Sequence, residues 1–229
     1  MKNKNTYIAS ALFISSFTFA ASNAYAACHN LSGAYVGLGL GSNIAGNVLY
    51  SASENDAPVF KSTDSITGFL GGLIVGVQKE AGPLVLGAEI VTAYSTATAK
   101  TKKHGREFTA DQGLSIEIGA RFGLKVSDET QTYFRLGVES TEFKHKVPVD
   151  AVATGIDTKA KKRMTGMLLG AGIETKMGDS FLIGVEYRHT LYKAEKLKLK
   201  GTIVPITEAT DEFKPSVSAI MVRLLYKMS

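Results

Sequence analysis

Ser115-Ile116-Glu117-Ile118-Gly119-Ala120-Arg121-Phe122-Gly123-Leu124-Lys125 is the stretch on which the fold turns. Taken alternately, Ile116, Ile118, Ala120, Phe122 and Leu124 form an apolar set, while Ser115, Glu117, Gly119, Arg121, Gly123 and Lys125 are small or charged. Successive side chains of a strand point to opposite faces, so this alternation predicts a strand with one greasy face and one polar face. A helix would spread both sets around its circumference.

The same period recurs outward in both directions. Phe181, Ile183, Val185 and Tyr187 alternate with Leu182, Gly184, Glu186 and Arg188; Phe134, Leu136 and Val138 alternate with Tyr133, Arg135, Gly137 and Glu139. Ile220, Val222, Leu224 and Tyr226 alternate with Met221, Arg223, Leu225 and Lys227. Weaker segments at 34–41, 66–78, 84–94 and 165–175 bring the expected total to eight. An even number is what single-chain bacterial membrane barrels use. The connections at 79–82, 126–130 and 176–180 are short and polar, whereas those at 42–65, 95–113, 142–163 and 193–214 are long. Strict long-short alternation is the pattern of short periplasmic turns and long extracellular loops. A soluble sandwich has no reason to obey it.

Together these patterns predict an all-β fold, an eight-stranded antiparallel up-and-down transmembrane β-barrel. In hydrocarbon every backbone N–H and C=O must find a partner within the protein, so a spanning sheet has to close without an edge. The apolar rows then face lipid and the polar rows face inward. Phe122, Phe134, Phe181 and Tyr226 lie on the apolar phase close to a short turn or the C-terminus, where an aromatic girdle meets the headgroups. Tyr94, Phe143, Tyr192 and Phe213, near the long loops, are the candidates for a second girdle.

Residues 1–26 read as a secretion signal. Lys2 and Lys4 give a positive start, 8–20 are apolar or small, and Ala24-Tyr25-Ala26 supplies small residues for cleavage after Ala26. The apolar core is too short for a membrane helix, which needs about 20 residues. The barrel domain is expected to occupy 27–229. Tyr25-Ala26-Ala27-Cys28 also resembles a lipoprotein cleavage box, with Tyr where Leu is usual; Cys28, the single Cys, can form no internal disulfide. Removing Lys2 and Lys4 leaves 24 basic against 21 acidic residues, too small an excess for a nucleic-acid-binding composition.

Tyr35-Val36-Gly37-Leu38-Gly39-Leu40-Gly41, Val85-Leu86-Gly87-Ala88-Glu89 and Ile183-Gly184-Val185-Glu186-Tyr187-Arg188 resemble recurring strand patterns of the outer-membrane β-barrel superfamily of outer-membrane protein A-type and opacity-type proteins. The resemblance covers nearly the whole mature chain and implies residence in the bacterial outer membrane, without one shared activity. Such chains commonly end in an aromatic residue that the barrel-assembly machinery reads. This one ends Tyr226-Lys227-Met228-Ser229.

The inward phase carries Glu89, Glu117, Arg121, Arg135, Glu139, Glu174, Glu186, Arg188 and Arg223. An eight-stranded barrel is just wide enough for side chains to fill, so these are read as a structural charge network, with an ion path or ligand site as the alternative. A hairpin centred on Asp128 sets Glu117 against Glu139 and Arg121 against Arg135, which like-charge repulsion disfavours. Either the register differs or the charges find partners on other strands.

No catalytic, metal or cofactor residues are assigned. His29, His104, His145 and His189 are scattered, and Arg188-His189-Thr190 shows no Ser partner in the sequence. The loops are basic. Lys100, Lys102, Lys103, His104 and Arg106 cluster in one, and Lys144, Lys146, Lys159, Lys161, Lys162 and Arg163 in another. Lys196, Lys198 and Lys200 alternate with Leu197 and Leu199, which suggests that strands continue past the bilayer. The expected function is a non-enzymatic envelope and surface-interaction protein. Its expected partners are outer-membrane lipid and lipopolysaccharide, the barrel-assembly machinery and a host surface molecule, with no nucleic acid. A narrow porin-like channel and an outer-leaflet lipid-modifying enzyme are the alternatives.

Overall fold

The computed structural model describes residues 31–54, 57–103, 106–147, 158–198 and 210–228, with side chains over 31–46, 65–100, 109–144, 161–194 and 215–228. The signal segment, Cys28 and His29 lie outside these residues. Among them are eleven strands: β1 (Gly33–Glu54), β2 (Ala57–Ser65), β3 (Gly68–Ala81), β4 (Leu84–Ser95), β5 (Thr98–Lys103), β6 (Arg106–Lys125), β7 (Thr130–Val147), β8 (Thr158–Met177), β9 (Phe181–Tyr192), β10 (Glu195–Lys198) and β11 (Thr210–Met228).

Eight of these close a barrel in the order β1-β3-β4-β6-β7-β8-β9-β11, and β11 pairs back onto β1. All pairings are antiparallel; the closing seam runs from Ala34 opposite Met228 out to Ser53 opposite Thr210. The remaining three are extensions: β2 folds back on the outer part of β1, β5 on β6, and β10 on β11. Much of what reads as loop in the sequence is therefore paired strand projecting beyond the barrel. The expectation of strand extension, drawn from the Lys/Leu alternation at 196–200, applies to the other long connections too. Their largely polar sequences hide the pattern, because the strand signal in the wall is the alternation of apolar and polar residues, which these stretches lack.

The two phases point as the alternation predicts. Ile118 is 50% exposed and Leu136 49%, while their neighbours Glu117 and Arg135 are each 1% exposed. Phe69, Leu73, Leu86, Phe122, Val138 and Val222 belong to the same outward apolar set. This arrangement inverts that of a water-soluble barrel and matches a wall surrounded by hydrocarbon.

At the narrow end Gly82 and Gly178 occupy turns at φ +62° and +72°, a conformation in which a Cβ would be strained. Two glycines on the inward phase serve a different purpose. Gly76 lies opposite Tyr35 and Gly172 opposite Tyr133, and a Cβ at either position would meet the tyrosine ring at 2.5–2.6 Å. The missing side chains let both rings lie against the neighbouring strand with their hydroxyls aimed at the barrel axis, an aromatic cover over glycine.

Candidate functional site

The candidate site is the lumen together with its outer rim. Each inward strand position delivers one polar side chain toward the axis, and the nine charged residues of that phase are brought together there, all buried. Glu89 on β4 is the hub. Its Oε1 accepts hydrogen bonds from the Tyr35 hydroxyl (2.6 Å) and from Arg121 Nη1 (2.9 Å), and it also pairs with Arg223; its Oε2 accepts from Arg135 Nη1 (2.9 Å). Arg121 reaches Glu174 at 2.6 Å with its other amino group, and its guanidinium stacks 3.8 Å from the Tyr133 ring centre.

Arg135 contacts Glu117 at 2.5 Å and Glu186 at 3.3 Å. Arg188 bridges Glu117 and Glu139, the latter at 3.0 Å. Arg223 pairs with Glu186, lies 3.4 Å from Glu174 and donates to the Tyr133 hydroxyl at 2.8 Å. Every arginine therefore meets at least two carboxylates. In so narrow a space each ion loses its water, and partners of opposite charge are the compensation that makes burial tolerable.

This geometry settles the register question. Glu117 does lie opposite Glu139, and Arg121 opposite Arg135. The like charges are separated because the long arginine side chains diverge. Arg121 turns to β4 and β8, while Arg135 turns to β4, β6 and β9. Inside a barrel the opposite wall is as reachable as the neighbouring strand, so the pairwise rule for open sheets loses its force.

Both mouths of the lumen are filled. At the turn end the Leu31 side chain is buried, its N–H donates to Glu80 (3.0 Å) and its carbonyl accepts from Gln78 (2.7 Å). Lys125 holds the other oxygen of Glu80 at 2.6 Å. At the outer end Asn43 donates to Ser95 (2.9 Å) and Gln112 (2.8 Å). Above them an apolar plug gathers Ile66, Ala97, Ala110, Phe143, Met164 and Tyr192. The cavity between the ion network and this plug, beside Asn43, Glu139 and Arg188, has room for about one water molecule.

The remaining candidate residues divide clearly. Phe122 and Phe134 are outward cross-strand neighbours, as are Phe181 and Tyr226, whose ring centres lie 5.4 Å apart. Tyr94 is outward and exposed. Phe143 and Tyr192 are not part of an outer girdle. Both point inward, are fully or almost fully buried, and meet edge to face at 5.2 Å. Their parity already assigns them there: Phe143 shares the phase of Arg135 and Glu139, and Tyr192 that of Glu186 and Arg188. The side chain of Phe213 lies outside the described set.

His189 does have a serine partner. Its Nδ1 is 2.8 Å from Ser218 Oγ, and the Tyr187 hydroxyl donates to the same oxygen at 3.1 Å. Ser218 lies opposite His189 on β11, a pairing that no reading of the Arg188-His189-Thr190 stretch alone reveals. Among the described residues no carboxylate orients the ring, so the cluster is a polar staple in the wall.

Of the basic positions, Lys100 and Lys161 are exposed and Lys162 is half-buried. The backbone pairs Lys103 with Arg106 on the β5–β6 hairpin and Lys146 with Lys159 on the β7–β8 hairpin; Lys102 is opposite Glu107. These cationic positions therefore stand on paired strands outside the barrel. Sequence reasoning put Tyr133 on the inward phase without a role and missed Tyr35, Thr141 and Thr190; all four are inward and hydrogen-bonded to lumen carboxylates.

A closed eight-stranded wall with greasy outward rows and a filled ionic interior narrows the possibilities to membrane barrels. The family described as outer membrane protein beta-barrel domain matches residues 9–226. The chain belongs to this family. As an outer-membrane β-barrel it resides in the bacterial outer membrane, surrounded by lipid and lipopolysaccharide, and is a surface protein. It is 30% identical over 146 residues to the 25 kDa outer-membrane immunogenic protein of Brucella melitensis, a match covering 64% of this chain and 62% of the relative. The Brucella canis protein of the same name is 32% identical over 133 residues, covering 58% and 56%. The outer-membrane barrel thus spans less than two thirds of the length of the curated relatives it matches.

Among solved structures, OprG from Pseudomonas aeruginosa superposes with a TM-score of 0.64 at 13% identity, covering 88% of this chain and 99% of OprG. The outer membrane protease OmpT from Escherichia coli gives 0.53 at 8% identity, covering 86% and 97%. At such identities the likeness is one of fold alone.

Proposed function

We propose that this outer-membrane barrel is a non-enzymatic surface protein, a sealed anchor that holds basic β-hairpins outside the cell for contact with anionic surface molecules of a host. The observation that carries the reading is the filled lumen. Four arginines and five glutamates cross-link the opposite walls, Leu31 stops one mouth and the Phe143–Tyr192 pair the other. Such an interior stiffens the wall and, among the described residues, leaves little room for water, which favours an anchor over a channel. The Lys-bearing hairpins β5–β6 and β7–β8 supply the positive field that attracts acidic glycans or proteins.

Two measurements on the refolded full barrel test this. In planar bilayers it is expected to give no steady single-channel steps; steps that disappear on Arg121→Ala or Glu117→Gln would establish the channel instead. Replacing Lys100, Lys102, Lys103 and Arg106 together with Gln is expected to weaken binding to sulfated glycans about tenfold at low ionic strength, while heat-modifiable gel mobility stays intact. Undiminished binding would remove the hairpins from the contact surface.

A further inference from the structure

Above the apolar band, the outer wall is electrically lopsided. On β7 the outward row continues from Val138 through Ser140 and Glu142 to Lys144; on β8 it runs from Met167 through Thr165 and Arg163 to Lys161; on β9 Lys193 follows Leu191. Register gathers these residues into one patch. Glu142 lies opposite Arg163 and Lys144 opposite Lys161, while the Lys193 N–H bonds the Thr165 carbonyl. The patch holds four cations and a single carboxylate, Glu142, which is 3.6 Å from Lys161 and 4.0 Å from Lys144. Arg163 and Lys193 have no ion pair among the described residues. On the β3–β4–β6 face the corresponding rows end in Thr67, Thr96, Thr98 and Asp111, with one cation among the described side chains, Lys100, a pleat farther out.

Height decides what such a patch meets. From Phe134, near the turn end, to Glu142 is eight residues, about 20 Å along the axis for strands tilted about 40°. The apolar band of a bacterial barrel is about 25 Å tall, so Arg163, Lys161 and Lys193 stand at the outer headgroup level. Directly beneath them, Leu136, Met167, Leu169 and Leu191 form a continuous exposed apolar strip.

We propose that the outer face of β7–β8–β9 is a binding site for a phosphate-bearing lipid of the outer leaflet. The Arg163 guanidinium, flanked by Lys161 and Lys193, takes the headgroup phosphate, a group that its planar fork matches with two parallel hydrogen bonds. The acyl chains descend over the Leu136–Met167–Leu191 strip. The partner is held laterally in the plane of the membrane, on a surface separate from the β5–β6 hairpin. The site rests on outer-membrane placement; it shares strands β7 and β8 with the host-contact reading, and the β5–β6 variant tests that reading without touching the lipid site.

The test is native mass spectrometry of the detergent-solubilised full barrel with three probes: lipid A carrying both phosphates, the same lipid with its phosphates removed, and inorganic phosphate. Wild type is expected to retain the phosphorylated lipid, and Lys161→Gln/Arg163→Gln/Lys193→Gln to bind it about a hundredfold more weakly. Thr96→Gln/Thr98→Gln on the opposite face is expected to bind as wild type does. Heat-modifiable mobility verifies that each variant is folded. Equal retention by wild type and the triple variant would overturn the site, as would equal retention of the dephosphorylated lipid. Displacement of the lipid by millimolar inorganic phosphate would overturn the lipid as its ligand.

Discussion

Arg223→Met is expected to destabilise the folded barrel by about 3–5 kcal/mol, more than any single change to an exposed position. Arg223 is fully buried and touches Glu89, Glu186 and Glu174 as well as the Tyr133 hydroxyl. Its removal leaves five buried carboxylates sharing three arginines. Arg121 and Arg135 already share Glu89, Glu174 and Glu186 with it and cannot neutralise all three, and an uncompensated buried charge costs far more than an ion pair contributes. Glu89→Gln removes the hub acceptor yet leaves four carboxylates facing four arginines, so its cost is expected to be smaller although it has as many polar partners as Arg223. Urea titration of the heat-modifiable band in detergent measures both. The reverse ranking would mean that hydrogen-bond connectivity, rather than charge balance, governs the interior.

Ile118→Arg is expected to cost about 2–4 kcal/mol, and Leu124→Arg about 0–1 kcal/mol. Both residues share the outward row of β6, with Ile118 midway along it between Ile90 and Val138, and Leu124 next to the turn. In bulk water the two substitutions would be nearly equivalent, because both side chains are about half exposed. Hydrocarbon makes them unequal: an arginine at mid-depth cannot reach water, while one near the interface can extend its stem to the headgroups. Folding titrations into lipid vesicles report the difference. Equal costs at the two depths would mean that the row does not cross a bilayer.

Most of the wall was legible in the sequence, and the reasons lie in particular residues. From Ser115 to Lys125 one face must satisfy lipid and the other a crowded interior, so chemistry tracks the backbone period without exception. The turns at 82–83 and 126–129 were readable because Gly82 and the polar run after Lys125 interrupt that period. The lumen was only half legible. The parity of each charge could be assigned, but its partners could not, because Arg223 meets Glu89 across 134 residues of chain. Tyr133 falls on the polar phase by parity, but neither it nor Tyr35 was given a role in the lumen, because aromatic residues in a membrane barrel suggest girdles; the facing glycines Gly76 and Gly172 are the signal that the rings lie inside. Phe143 and Tyr192 were misplaced for the same reason, although parity alone would have corrected them. The hairpins beyond the barrel were the least legible part, since outside 196–200 their sequences do not alternate in hydropathy as the wall strands do.

Lipid-accessibility scanning tests the central claim most directly. With Cys28 replaced by Ser, single cysteines placed in turn from Ile116 to Phe122 carry a nitroxide, and its relaxation by lipid-dissolved oxygen is measured in vesicles. The account predicts a period of two, with high oxygen contact at Ile116, Ile118, Ala120 and Phe122 and low contact at Glu117, Gly119 and Arg121. A flat profile, or one with its maxima at the charged positions, would contradict it.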